Sequence, residues 1–138
     1  MDREAIVRNP DTYDTWHFAE ANRVGRTVWV AGQRGFDERD QISLDPTIQA
    51  RTAFRQLERT LREAGATMDD VVCLTTYHTD MAHVETFRAV KDEFFRAPYP
   101  AWTLVGVSEL ASPDMVVEVA AIAVVGSGRH ATEHRLIG

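Results

Sequence analysis

The sequence predicts an α+β fold in which a mixed β-sheet carries two helices on one of its faces. Three observations lead there. The apolar patterns run in the order β-β-α-β-α-β-β. Only two segments have helical periodicity, and two helices cover one face of a sheet and no more. The stretch Met115–Val125 is apolar on both sides of a strand, with Met115, Val117, Val119, Ala121 and Ala123 alternating with Val116, Glu118, Ala120, Ile122 and Val124. A strand of that kind expects cover on both sides. With the helices on one face, a second copy of the chain is the simplest cover for the other.

Residues 1–14, which include Asn9-Pro10-Asp11, read as an irregular lead-in. Thr15–Asn22 and Arg26–Gly32 read as two strands with a tight connection at Gly25-Arg26, hence a hairpin. The second of these runs into Gly32-Gln33-Arg34-Gly35, where two close glycines indicate a bulge, a backbone held open, or simply a loop. After a polar loop, Asp45 caps a helix that opens on Pro46, runs to about Ala64 and stops at Gly65. Ile48, Ala53, Phe54, Leu57, Leu61 and Ala64 form its apolar stripe. Val71–Tyr77 is a strand, and Ala82–Phe95 a second helix with Val84, Phe87, Val90 and Phe94 inward. Pro98 and Pro100 end it. Ala101–Val107 and Met115–Val125 follow as two strands, punctuated by Ser112-Pro113-Asp114. Residues 15–125 thus form one domain, and residues 126–138 read as a loose tail.

The chain has 138 residues, of which 44% are apolar and 26% charged, the usual balance for a globular domain with its own core. Its net charge is −6 and no stripe of Lys or Arg forms, which argues against a nucleic-acid partner and against anionic membranes. The single cysteine, Cys73, excludes an internal disulfide and reads as a small buried hydrophobe. No apolar run is long enough to span a membrane, and MDREAIVRNP is no secretion signal, so a cytoplasmic protein is expected. His130 and His134 have the i,i+4 spacing of paired metal ligands, but no third ligand is evident. Neither a metal nor a cofactor is expected.

Glu118 breaks the apolar pattern. A carboxylate among valines and alanines is costly unless it is paired, hydrogen-bonded or neutralised. Two readings stay open: a structural carboxylate satisfied by backbone N–H groups or a neighbouring subunit, and a general base with a raised pKa. Trp16, His17 and Trp29 read as packing residues, Lys91 as a solvated helix residue, and Trp102 as either core or site.

Several pieces, in this order and spacing, resemble the RidA family, also called YjgF or L-PSP endoribonuclease-like. They are Val28-Trp29-Val30-Ala31-Gly32-Gln33, Ile48-Gln49-Ala50 through Ala64-Gly65, Asp70-Val71-Val72, Tyr77-His78-Thr79-Asp80-Met81, Tyr99-Pro100-Ala101, and Val117-Glu118-Val119 with Ala121-Ile122-Ala123. The resemblance implies a chorismate-mutase-like fold and a homotrimer with clefts between subunits. It also implies hydrolysis of reactive imines or enamines to 2-keto acids and ammonia. By it Glu118 is the glutamate that positions water. Phe18, Ala31, Gly32, Gln33, Arg34, Trp102 and Leu104 would line the substrate site. Trp102 stands where relatives carry a carboxylate-binding arginine, so an altered substrate preference is expected, with Arg34 a possible replacement cation. Two alternatives remain: a trimer that binds a small metabolite without turnover, and a ribonuclease or translation inhibitor.

Overall fold

The computed structural model describes residues 1–137. Gly138, the last residue of the expected tail, lies outside the described residues. The elements are β1 (Arg3–Ile6), α1 (Pro10–Trp16), β2 (Ala21–Val24), β3 (Thr27–Arg34), α2 (Pro46–Glu63), β4 (Val71–His78), α3 (Val84–Lys91), β5 (Ala101–Gly106) and β6 (Val117–Val124), with short 3₁₀ turns at Met68–Asp70, Met81–His83 and Ser127–His130.

The six strands form one sheet in the order β1-β2-β3-β6-β4-β5. Every pair is antiparallel except β4 with β5. The hairpin joining β2 and β3 turns at Gly25 and Arg26, with Val24 opposite Thr27. Gly25 has φ +60°, a conformation that glycine adopts without a Cβ penalty. The Asp45 side chain accepts from the Thr47 and Ile48 amides at the head of α2, and Gly65 at φ +86° follows its end. Helices α2 and α3 lie together on one face. There Phe54, Leu57, Leu61, Phe87 and Val90 bury against Val28, Val30, Leu74, Val117, Val119 and Ala121 of the sheet.

Four sequence expectations change. The lead-in is ordered: β1 extends the sheet, and α1 begins with Asn9 accepting from the Thr12 amide and Pro10 at its first position. That helix occupies part of the expected strand Thr15–Asn22. It has no buried residue, so it carries no apolar stripe to betray it. The second helix is a 3₁₀ turn followed by only Val84–Lys91. Strands β5 and β6, for whose pairing the sequence set no expectation, are consecutive in the chain but not neighbours in the sheet, because β4 lies between them. The last strand begins at Val117, and the chain beyond β6 makes a 3₁₀ turn at Ser127–His130 before losing regular structure, so His130 and His134 do not share a helix face.

The stripe of α2 also differs. Ile48 is exposed, whereas Gln49 is fully buried. Gln49 holds the approach to β6: its Nε2 donates to the Ser43 and Asp114 carbonyls at 3.0 Å each, and its Oε1 accepts from the Val116 amide at 2.6 Å. Gly35 lets it in, since a Cβ there would run into the Gln49 side chain and carbonyl. Gln49→Leu keeps the volume but orphans three backbone groups. It is expected to destabilise by about 2–4 kcal/mol, read in urea unfolding as a lower midpoint at unchanged slope.

Candidate functional site

The sheet separates the expected site residues into two sets. The division begins at a bulge. Strand β3 pairs with β6 through Val30–Ala121 and resumes at Gln33–Val119, so three steps on β3 face two on β6. The extra residue inverts the alternation. Val30 and Gln33 both turn into the helix layer, and Ala31, Gly32 and Arg34 are left outside the buried core. Gln33 is locked there. Its Nε2 donates to the Ala31 carbonyl at 3.0 Å, and its Oε1 accepts from the Thr60 hydroxyl at 3.1 Å, which in turn accepts from Arg8 Nη1 at 3.0 Å. The side chain of Gln33 therefore braces the bulge from behind and does not line the open face.

On that open face the register builds a row across four strands: Arg34, Glu118, Tyr77 and Val105. Glu118 lies over the bulge, and a Cβ on Gly32 would collide with its carboxylate. Only glycine leaves room for the acid at this spot. Burial pushes the Glu118 carboxyl above its usual range, and the charge of Arg34 pulls it part of the way back. No hydrogen-bond donor among the described residues offsets that burial. The next rows are apolar or neutral: Ala120, Thr75 and Thr103, then Trp29, Ile122, Cys73 and Ala101. Trp29 is 46% exposed, so within one subunit it packs under no helix and lies on the uncovered face. Tyr77, next to Glu118 on β4, was missed; its odd position in a strand whose even members Leu74, Thr76 and His78 are buried carried the signal.

Trp102 and Leu104 belong to the other face. They pair with Leu74 and Thr76, which point into the helix layer. The Trp102 indole donates to Thr76 Oγ1 at 2.9 Å and packs against Phe87, with ring centroids 6.1 Å apart. Thr76 Oγ1 also meets His78 Nε2 at 2.8 Å, and burial holds the His78 pKa below the usual imidazole range. The expectation that an indole stands beside Glu118 thus fails within one subunit: a parallel partner strand sets the direction of Trp102, and that direction is through the sheet. Phe18 lies elsewhere again. It lines a surface cleft of about 390 Å³ with Arg3, Tyr13, His17 and Asn22. Lys91 is buried, not solvated as expected, one helical turn after Phe87.

A sequence profile of the family described as Endoribonuclease L-PSP matches residues 11–125. The chain belongs to this family. Its RidA/YjgF relatives include the RutC family protein YjgH of Escherichia coli strain K12, 40% identical over 111 residues, which are 79% of this chain and 85% of that protein. A protein of Dermatophagoides farinae named 2-iminobutanoate/2-iminopropanoate deaminase is 32% identical over 110 residues, 78% of this chain and 85% of its own length. The crystal structure of Rv2704 from Mycobacterium tuberculosis, a member of the YjgF/YER057c/UK114 family, superposes with a TM-score of 0.81 at 31% identity, covering 90% of this chain and 100% of that one. The mixed sheet with its helices is accordingly the chorismate-mutase-like fold of YjgF structures. Among the described residues no helix is long and apolar enough to cross a membrane.

Two outcomes test this candidate site in the RidA-family chain. Gly32→Ala is expected to displace the Glu118 carboxylate and cost about 1–3 kcal/mol in urea unfolding. The second concerns pH. Because the folded carboxyl has a raised pKa, its contribution to stability is present below the unfolded value and is lost as pH rises through the folded value. Glu118→Gln is therefore expected to raise Tm by a few degrees near pH 8 and to leave it unchanged near pH 4, at fixed protein concentration.

Proposed function

We propose that the chain is a deaminase-type hydrolase of an imine or enamine, with Glu118 as the group that handles the proton of water. The observation that carries this reading is the half-buried carboxyl seated on Gly32 with a raised pKa. A carboxyl of that kind holds its proton further toward neutral pH than an exposed glutamate does. It serves first as acid toward the imine nitrogen and then, as carboxylate, as base toward water. Water adds to the C=N carbon, the C–N bond breaks, ammonia leaves and a carbonyl forms, with the proton returned to Glu118. The deaminase name of the mite relative supports the reaction class.

The working unit in this proposal is a homotrimer. Support comes from the open sheet face, where Trp29, Ile122, Ala120 and Cys73 lie beside Glu118 with no helix over them. Burying such a face against a neighbour removes apolar surface from water and deepens the burial of Glu118. Within one subunit Trp102 faces away from Glu118, so it joins a common site only if two subunits meet there. Trp102 occupies the strand position at which arginine-bearing relatives, by resemblance, hold a substrate carboxylate. Arg34, directly across the ladder from Glu118, is the cation at hand on that face. A substrate larger or less dependent on its carboxylate than 2-iminopropionate follows from that exchange. A ribonuclease role, which the family description suggests, has little support from a chain of net charge −6 without a basic stripe.

The test is ammonia release from imines generated in situ. 2-Iminopropionate is expected to be hydrolysed about 10²–10⁴-fold more slowly than by an arginine-bearing relative. Glu118→Gln is expected to lower kcat by about 10²-fold or more on the best imine substrate found. Hydrolysis at the relative's rate contradicts the altered preference, and an unchanged kcat in the Glu118 variant removes the proton-handling role.

A further inference from the structure

We propose that the cleft between the 3₁₀ turns Met68–Asp70 and Ser127–His130, at the far end of β6 from Glu118, binds a small phosphomonoester with a polar, hydroxylated body. The cleft has a volume of about 350 Å³, within the range of small-metabolite sites. One of its walls is the chain that follows β6, and a buried carboxylate fixes that wall. Asp70 is 4% exposed. Its Oδ1 accepts from the Gly128 amide and its Oδ2 from the Thr67 amide, each at 3.0 Å. Gly128 sits so close to the Asp69 carbonyl that a Cβ would meet it at 2.5 Å. The shape of the cleft is thus set before any ligand arrives.

Four guanidinium groups surround it. Arg96 and Arg129 line it directly. Arg23 and Arg26 lie over two glycines of its wall: a Cβ on Gly65 would come within 2.6 Å of Arg23 Nη1, and one on Gly126 within 3.1 Å of Arg26 Nη2. Backbone carbonyls hold these two side chains. Arg23 donates to the Gly25 and Ala64 carbonyls at 2.9 and 2.8 Å, and Arg26 donates twice to the Val125 carbonyl, at 2.9 and 2.7 Å. A carbonyl orients a guanidinium without neutralising it, and each fork keeps N–H groups for a ligand. Arg23, Arg26 and Arg129 enter none of the ion pairs of the described residues, and Glu4, across the ladder from Arg23, forms none with it. Of the two carboxylates present, Asp69 pairs with Arg96 and Asp70 is taken up by amides. Positive charge therefore exceeds negative around this cleft, in a chain whose net charge is −6.

Two features set the ligand class. Several guanidinium forks at one place suit an anion with more than one charge and three acceptor oxygens, which is a phosphoryl group and not a lone carboxylate. Among the described residues that line the cleft only Val125 has an apolar side chain and none has an aromatic ring, so the body attached to the phosphoryl group is polar. Six residues of β6, about 20 Å of strand, separate Val124 from Glu118, so this site stands whether or not Glu118 hydrolyses an imine.

The experiment records amide spectra of the ¹⁵N-labelled full chain, in a buffer free of phosphate, while glycerol 2-phosphate, inorganic phosphate, glycerol and acetate are added in turn. Glycerol 2-phosphate is expected to move the Gly65, Gly126 and Gly128 signals in a saturable way and to leave that of Gly32, beside Glu118, in place. Inorganic phosphate is expected to move the same signals with an affinity lower by about threefold or more, and glycerol and acetate to leave them unmoved at the same concentration. Arg129→Gln, on the exposed rim, is expected to weaken glycerol 2-phosphate by about tenfold, and Arg129→Gln together with Arg96→Gln by about a hundredfold. Unmoved glycine signals, acetate binding as well as glycerol 2-phosphate, or full affinity in the double variant would each overturn the site. Inorganic phosphate binding as tightly as glycerol 2-phosphate would overturn the polar body. The comparison of ligands uses the unaltered protein, so it decides even if the double variant does not fold.

Discussion

The contact between the Glu118 carboxylate and the bare Cα of Gly32 is the constraint on which the rest of the site depends. One extra residue in β3 makes it possible. The bulge places a glycine where strand alternation would otherwise place a side chain. It also sends Gln33 to the back of the sheet, where Thr60 and Arg8 hold it. The bulge thus has a polar brace on the helix side and an acid on the open side. Removing either changes the other, because the Ala31 carbonyl that Gln33 grips is the residue next to Gly32.

The sheet divides the chemistry of the chain between its two faces. On the helix side, Thr76 gathers the Trp102 indole and His78 into a buried polar cluster, with Lys91 beside the same indole. On the open side, Glu118 has a cation on one flank and a tyrosine on the other, followed by rows of small and apolar residues. The carboxyl there is raised by burial, with no hydrogen-bond donor to it among the described residues. Groups in that condition are costly to a fold and recur where proton transfer is needed.

The fold was legible wherever local chemistry sets the backbone. Gly25-Arg26 marks the hairpin, Asp45-Pro46 and Gly65 bound α2, and alternation in Val117–Val124 assigns both faces of β6. The lead-in was misread although Asn9-Pro10 carries the same capping chemistry as Asp45-Pro46. With no apolar stripe in α1, its capping signal had no periodicity to support it. Strand order was not legible, because β4 enters between β5 and β6 through a crossover that leaves no mark on either. That gap hid the direction of Trp102, which follows from parallel pairing with Leu74. Glu118 was legible because a charge stands out in an apolar run. Lys91 carried the opposite signal: it follows Val90 directly and lies one turn beyond Phe87, an inner position that its residue type obscured.

The most direct measurement is the titration of the Glu118 side-chain carboxyl carbon by ¹³C NMR in the intact protein. The account predicts a midpoint above that of an exposed glutamate, moving further up when Arg34 is replaced by Met. A midpoint at or below the ordinary glutamate value would contradict it, since the carboxyl would then be solvated or paired and no proton would be held for the chemistry.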